Sequence, residues 1–251
     1  MKQVKILLCI LLSVTLLVGL IMGYIYLPKQ TCEQISVVPH TNNECIVIGQ
    51  EDVEEMLANA KIEVIRKQQK DIDLGQISSE LKKNPFVEKV NFVHFAGGKL
   101  VIDYKLRDIV LNVFTLGGEN YLVDEKGIVL PFTMQMTDYL MVVNGNVSDD
   151  YKVGNRAHRI IQEALLITKK IYSDDFYKAQ FRQIYINSKN ELELMATIGG
   201  QTVLLGNSEN IDEKLSNVRT VYANALPHKG YKTYSKLDAR FKNRIIATKH
   251  N

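Results

Sequence analysis

Apolar residues recur at every second position along residues 99–107, and all but Val101 of the residues between them are polar. The apolar positions fall on every second residue: Leu100, Ile102, Tyr104 and Leu106. A period of two predicts a β-strand with one buried face. Gly97 and Gly98 precede this strand and suit a tight turn, and a run rich in Val and Phe precedes the turn. We therefore predict a β-hairpin, whose apolar face must be covered because isolated hairpins are marginal in water.

Two amphipathic helices are predicted before the hairpin. Residues 50–61 place apolar side chains at positions i, i+3, i+4 and i+7, the spacing of one helix face. The second helix covers residues 73–83, begins with the capping-box spacing of Asp73 and Gln76, and ends before Pro85. A short strand at residues 33–38 completes the order strand, helix, helix, strand, strand. This order predicts a three-stranded sheet covered by two helices.

The rest of the chain mixes strand and helix patterns. Helices are predicted at residues 155–173 and 208–225, where apolar residues follow a helical period. Strands are predicted around them at residues 110–114, 139–143, 181–186, 191–196 and 201–205. The expected fold class is α+β: after the first unit comes an antiparallel sheet with helices packed on one face.

The start of the chain has the pattern of a membrane anchor. Residues 6–27 carry no charge and, as a helix, would extend about 33 Å, enough for a hydrocarbon core of about 30 Å. Lys2 and Lys5 precede this run, which favours a cytoplasmic N-terminus. We predict a cytoplasmic tail at residues 1–5, a transmembrane helix at 6–27, and the remainder outside the cytoplasm. A cleaved signal peptide is the alternative, but its apolar region is usually shorter and a cleavage site follows it.

Charge and motif content argue against nucleic-acid binding and catalysis. Without Lys2 and Lys5, 29 basic residues face 28 acidic ones, a balance that does not favour nucleic acid as a partner. The five histidines lack metal-ligand spacing, and no nucleophile elbow or phosphate loop occurs. We therefore predict a non-enzymatic protein without catalytic, cofactor-binding or metal-binding residues. Because distant residues can converge in space, a cell-wall enzyme is kept as the last hypothesis.

Cys32 and Cys45 follow the predicted span, in a compartment that permits disulfides. We predict that they form a disulfide bond. The alternative is that they are two reduced, small hydrophobic residues on neighbouring strand positions.

Three motifs carry a family resemblance. The segment ELKKNPFVEKVNFVHFAGGKLVIDYKLRD has an Asn-Pro step, a Val-rich strand, a Gly turn and a closing Arg107, although Ile109 stands where the family pattern has Pro. The segment NYLVDEKGIVLP fits a hairpin in which Asp124 holds a type I turn and Gly127 adopts the left-handed conformation. The segment YSKLDARF resembles a closing strand, with Phe241 in place of Tyr. These three motifs, in this order, resemble those of the bacterial cell-division family FtsQ/DivIB.

This resemblance implies a POTRA domain at residues 28–108 and a β-domain at residues 109–251. It also implies a non-enzymatic, single-span scaffold of the divisome, located in the cytoplasmic membrane at the division septum. Its partners would be FtsL- and FtsB-type division proteins and, indirectly, the septal peptidoglycan synthase. A POTRA-bearing chaperone or outer-membrane assembly or translocation factor is the alternative, although such proteins usually continue into a long β-barrel.

The last strand is the candidate partner site. Residues 237–247 alternate in polarity, as either a one-sided strand or a hairpin turning at Lys242, Asn243 and Arg244, and residues 229–251 hold seven basic residues and one acid. A terminal strand often lies on a sheet edge, where a partner can add a strand while an acidic segment meets the basic side chains. Alternatively, these charges only prevent aggregation. The resemblance places the family's partner site in this region, and the candidate residues are Arg240, Phe241, Lys242, Asn243, Arg244, Ile245, Ile246 and Ala247.

Overall fold

The computed structural model describes residues 12–22, 31–42, 48–133 and 140–250. Helix α1 comprises residues 12–22. Within these described ranges, no helix is both long and apolar enough to cross a membrane. The other residues of the predicted span at 6–27 lie outside the described part of the chain.

The first unit has the predicted order of elements. They are β1 (Gln34–His40), α2 (Gln50–Asn59), α3 (Leu74–Leu81), β2 (Val87–Ala96) and β3 (Lys99–Leu106), with a 3-10 turn at Gln69–Asp71. The strand order is β1-β3-β2, with β1 parallel and β2 antiparallel to β3. Asp73 caps α3, because its carboxylate accepts the backbone N–H groups of Gly75 at 2.8 Å and Gln76 at 3.0 Å.

The alternating residues of β3 explain what covers the hairpin. Leu100, Ile102 and Tyr104 are fully buried in one apolar core with residues of the two helices, among them Leu57 and Ile77. The Tyr104 phenol also donates to the carbonyl of Ile48. The helices therefore bury the predicted apolar face of the hairpin and leave the opposite face of the sheet uncovered by them.

The second unit is built on a nine-stranded sheet. Its strands are β4 (Ile109–Phe114), β5 (Asn120–Asp124), β6 (Val129–Pro131), β7 (Met141–Gly145), β8 (Phe181–Ile186), β9 (Leu192–Ala196), β10 (Thr202–Gly206), β11 (Tyr234–Asp238) and β12 (Ile246–Lys249). Its helices are α4 (Arg159–Tyr172), α5 (Asp175–Gln180), α6 (Ile211–Thr220) and α7 (Leu226–Lys229), with a π-helical turn at Val221–Ala225. The strand order is β12-β11-β10-β9-β8-β7-β4-β5-β6.

The prediction of an antiparallel sheet is wrong, because the sheet is mixed. Strand β7 is parallel to both β4 and β8, and β10 is parallel to β11. Helical crossovers explain two of these three pairs: α4 and α5 connect β7 to β8, and α6, the π-helical turn and α7 connect β10 to β11. In the β4–β7 pair, the antiparallel strands β5 and β6 come between the two partners in the chain. A helical crossover returns the chain to the same end of the sheet, so the next strand runs parallel.

The helices lie on one face of the large sheet, as predicted. Ile161 of α4 and Leu215 of α6 belong to the same core as inward-facing residues of the strands. These include Val143, Ile184 and Leu237. At the β4–β6 end, the opposite face packs against the first unit. There four apolar residues join the core of the three-stranded sheet: Ile109, Leu122, Leu130 and Leu140.

Candidate partner-binding edge

The chain ends in a β-hairpin at the edge of the large sheet. Strand β11 continues through a turn into β12, which pairs antiparallel with β11 and is last in the strand order. The hairpin form of the prediction is therefore confirmed. Asn243 has a φ of 56°, the left-handed conformation that Asn tolerates in tight turns.

Three contacts fix the loop between the two strands. Ala239 is completely buried, and Ile245 packs against the same core from the other side of the turn. The backbone N–H of Asn243 donates to the carboxylate of Glu213 on α6 at 3.0 Å. The hairpin is thus held to the body of the domain at its turn, while β12 itself is exposed along its length.

The pairing of β11 determines where its backbone groups point. The N–H of Ala239 donates to the carbonyl of Leu204 on β10 at 2.9 Å. Because successive residues of a strand direct their N–H and C=O groups to opposite sides, those of Lys236 and Asp238 face β12. These two residues are therefore the hydrogen-bonding positions for the last strand.

The same alternation defines the open side of β12. Ile246 is opposite Asp238, and Thr248 is opposite Lys236. Ile246 and Thr248 therefore bond back to β11, and Ala247 and Lys249 direct their N–H and C=O groups away from the sheet. Up to two donors and two acceptors are thus presented on this edge.

The opposite edge of the sheet is covered. Val129 of β6 donates its N–H to the carbonyl of Asn155 at 2.8 Å, and the N–H of Gly154 donates to the carbonyl of Val129 at 2.8 Å. The loop before α4 therefore occupies the outer side of β6. Among the described strands of the large sheet, β12 is the one whose outer side carries no such cover.

Arg240 is held within the chain. Its guanidinium donates to Asp238 at 2.9 and 2.6 Å and to Glu191 at 2.7 Å. Burial raises the pKa of Asp238, but the hydrogen bonds and positive charge of Arg240 outweigh it, so the pKa is lowered. The pKa of Glu191 is lowered by hydrogen bonds from Asn187 and from Arg240. Both carboxylates are therefore stabilised as anions, and much of the Arg240 charge is neutralised.

The cations open to a partner lie on either side of this cluster. Lys242, Arg244 and Lys249 are exposed, and none of the ion pairs between described residues involves them. The Arg244 guanidinium lies 5.1 Å from the ring centre of Phe241, and that of Arg240 lies 5.9 Å from it. Phe241 is 36% exposed, so this ring also lies at the surface of the turn.

The predicted site residues divide into two groups. The residues from Arg240 to Ile245 form the connection, whereas Ile246 and Ala247 belong to β12. Thr248 and Lys249, which complete the strand, were not among the predicted site residues. Lys249 could have indicated them, because it continues the basic pattern of the edge.

Two other predictions, the turn at Asp124 and the disulfide of Cys32, can be compared with the structure. Asp124 accepts the N–H groups of Lys126 at 2.9 Å and Ile128 at 2.8 Å, which confirms that its side chain holds the turn. Cys32 is buried, with its thiol 3.5 Å from the carbonyl of Gln34. Cys45 lies outside the described residues, so the disulfide stays a prediction.

No group of three or more His, Cys, Asp or Glu side chains that could hold a metal ion occurs in the described part of the chain. The arrangement at β12 instead provides backbone hydrogen-bonding groups, basic side chains and one exposed aromatic ring. These are the means by which one protein binds an extended segment of another.

The described chain is a two-unit α+β protein. A unit of two helices on three strands is joined to a nine-stranded mixed sheet with an open terminal edge. Residues 30–105 match the family model for a POTRA-like domain. Residues 110–248, more than half of the chain, match the family model described as FtsQ/DivIB, C-terminal related. The chain belongs to the FtsQ/DivIB family. No curated protein matches it significantly.

Proposed function

We propose that this chain is a non-enzymatic, single-span scaffold of bacterial cell division that binds FtsL- and FtsB-type proteins through the open edge of β12. Its POTRA-like unit comprises residues 28–108, and its β-domain comprises residues 109–251. The family membership gives it a role in cell division. By holding its partners, the chain helps to regulate septal peptidoglycan synthesis. The observation that carries the proposal is the outward direction of the Ala247 and Lys249 backbone groups.

Binding occurs by addition of a partner strand. The backbone of the partner bonds to Ala247 and Lys249, extending the large sheet by one strand. Four such bonds contribute roughly 2–6 kcal/mol, because a net protein hydrogen bond is worth about 0.5–1.5 kcal/mol. Side chains must therefore supply the rest of the affinity and all of the specificity.

Charge selects which strand can be added. Lys242 and Arg244 lie at the turn end of β12, and Lys249 lies at the opposite end. A partner strand with acidic residues near both ends complements this arrangement, whereas a basic strand is repelled. Ile246 is 48% exposed and offers an apolar contact between the charged ends.

The decisive variant is Ala247→Pro. Proline removes the outward N–H of residue 247 and leaves the bonds between β12 and β11 in place, as edge positions tolerate. We expect binding of the soluble domain of the organism's FtsB-type protein to weaken about two- to tenfold, the value of one net hydrogen bond, with an unchanged melting temperature. The matched control is Ala247→Val, which keeps the N–H and should keep the affinity.

A second variant separates binding from protection against aggregation. We expect Lys242→Glu with Arg244→Glu to weaken partner binding and to reduce its salt dependence. The exposed Lys152→Glu with Lys169→Glu is the control for the same change of four units in net charge. If the double variant aggregates but binds with unchanged affinity, the basic residues only protect the edge. Unchanged affinity of Ala247→Pro refutes strand addition.

The proposed topology places residue 1 in the cytoplasm and residue 251 outside it. It follows from the uncharged run at 6–27 and the two lysines before it. A C-terminal reporter that is active only after export should therefore function. Activity of a cytoplasm-specific reporter at that terminus contradicts the topology.

A further inference from the structure

None of the helices that the structure describes packs against the outer face of the three-stranded sheet. Helices α2 and α3 share a core with Leu100, Ile102 and Tyr104, which point to one side of β3. Val101 and Asp103 alternate with them and therefore point to the other side. In a sheet with one covered face, the open face is normally polar. Here the centre combines exposed apolar side chains with one acid, Asp103.

Apolar side chains lie side by side across the middle of this outer face. In the register of the sheet, Val38 and Phe92 flank Asp103, while His94 lies beside Val101. Phe92 is 49% exposed and Val38 is 38% exposed. The Phe92 ring meets the His94 ring edge-on, with 5.1 Å between their centres. Burial of these side chains by a partner would therefore be favourable.

The acid at the centre of the face is already satisfied. The Asp103 carboxylate contacts His40 Nε2 at 2.9 Å and accepts from Asn91 Nδ2 at 2.6 Å. The hydrogen bond from His40 lowers the pKa of Asp103, as does that from Asn91. Its two oxygens are occupied by its own neighbours, so the carboxylate does not need a hydrogen-bond donor from a partner.

Lysines lie at both ends of the apolar centre. Lys99 begins β3 at one end, and Lys89 lies opposite Lys105 at the other. Lys105 is 2.9 Å from Glu88 and 3.7 Å from Asp108, so its charge is largely used within the chain, and the exposed Lys89 is the cation that a partner can reach at this end. Lys99 and Lys105 are six positions apart, so the two ends are separated by about 20 Å at about 3.3 Å per residue.

We propose that this face of the POTRA-like unit, which we call the outer sheet face (Val38, Phe92, His94, Val101 and the flanking lysines), binds an acidic amphipathic helix of a protein partner. A helix about 10 Å in diameter that runs along the strands is wide enough to cover all three, because neighbouring strands are about 4.8 Å apart. A separation of 20 Å corresponds to about 13 helical residues, so acidic groups about 13 residues apart reach both lysine ends. A second copy of this chain is a poorer partner, because its lysines would meet lysines.

The test uses the full chain in nanodiscs of zwitterionic lipid and a fluorescent 18-residue peptide. The peptide carries a leucine stripe at helical spacing and glutamates at both ends. We expect binding by anisotropy, a loss of at least fivefold in Phe92→Ser and in Lys99→Glu, and no change in Leu116→Ser. Leu116 is the control because it is 66% exposed and lies on the β-domain. A peptide with lysines in place of the glutamates should bind at least tenfold more weakly.

Three results overturn the inference: no binding of the acidic peptide above a scrambled one, equal binding by the Phe92→Ser variant, or preference for the lysine peptide. Binding of anionic vesicles that competes with the peptide and is lost in Phe92→Ser would assign the face to lipid and equally overturn it. Ala247→Pro should leave peptide binding unchanged. The outcome for the outer sheet face is thereby independent of the outcome at β12.

Discussion

The contact between Arg107 and Asp124 joins the two units, and its loss should destabilise the fold strongly. Asp124 is 1% exposed, and its carboxylate lies 2.8 Å from the Arg107 guanidinium. It also accepts two backbone N–H groups of its own turn, those of Lys126 and Ile128. A single side chain thus holds both the β5–β6 turn and the end of β3.

The expected cost follows from what each substitution leaves unpaired. Asp124→Ala removes all three bonds and leaves a guanidinium that is only 22% exposed without its partner, a change that costs about 3–5 kcal/mol. Arg107→Ala leaves the two turn bonds intact and should cost less, about 2–3 kcal/mol. Because the two residues are in direct contact, the double variant should cost less than the sum of the single variants by about 1–3 kcal/mol.

The assay is urea denaturation of the full chain in detergent, followed by circular dichroism. With a slope of about 3 kcal/mol/M, Asp124→Ala should lower the midpoint by about 1–1.7 M. The matched control is the exposed pair of Glu63 and Lys67, separated by 3.2 Å, whose side chains are 80% and 46% exposed. Its coupling energy should stay below about 0.5 kcal/mol. A cost below about 1 kcal/mol for Asp124→Ala, or a coupling no larger than that of the control pair, would refute the reasoning.

Three further predictions concern other parts of the chain. Gly145 has a φ of 99°, and a Cβ there would lie 2.2 Å from the carbonyl oxygen of Ile186. Gly145→Ala should therefore lower the melting temperature. An unchanged melting temperature would contradict this prediction. Burial, together with the nearby charge of an acid, raises the pKa of Tyr104 to about 12. Since unfolded tyrosine titrates near pH 10, stability measured by denaturation should be constant just below pH 10 and fall between about pH 10 and 12, less so in Tyr104→Phe. If Cys32 and Cys45 form a disulfide, thiol labelling of the denatured, unreduced chain should add one label, whereas three labels would mean that both are reduced. The disulfide should raise the free energy of unfolding by about 3 kcal/mol.

Local patterns predicted most of the first unit. The alternation at Leu100 and Ile102 identified both the strand and its buried side, because a strand with one covered face needs that period. Capping by Asp73 was also predictable, since the side chain that caps a helix lies next to the groups it satisfies. Such features depend on residues that are close in sequence.

The features that local patterns missed depend on distant contacts. The sheet is mixed because helices cross between its strands, and strand polarity alone does not reveal the order of neighbours. Arg240 was expected to face a partner, but Glu191, 49 positions earlier, helps to hold it. The outward direction of Ala247 likewise depends on the bond between Ala239 and Leu204 of β10. The candidate edge was therefore predictable from the sequence, but the roles of its residues were not.

The most direct test of strand addition at β12 is amide hydrogen exchange at single-residue resolution, with and without the FtsB-type partner. The amides of Ile246 and Thr248 bond to β11 and should be protected in the free chain. Those of Ala247 and Lys249 face outward, exchange rapidly in the free chain, and should become protected by at least tenfold when the partner binds. A saturated complex in which the exchange of Ala247 and Lys249 is unchanged would contradict the central claim, because the partner would then bind elsewhere.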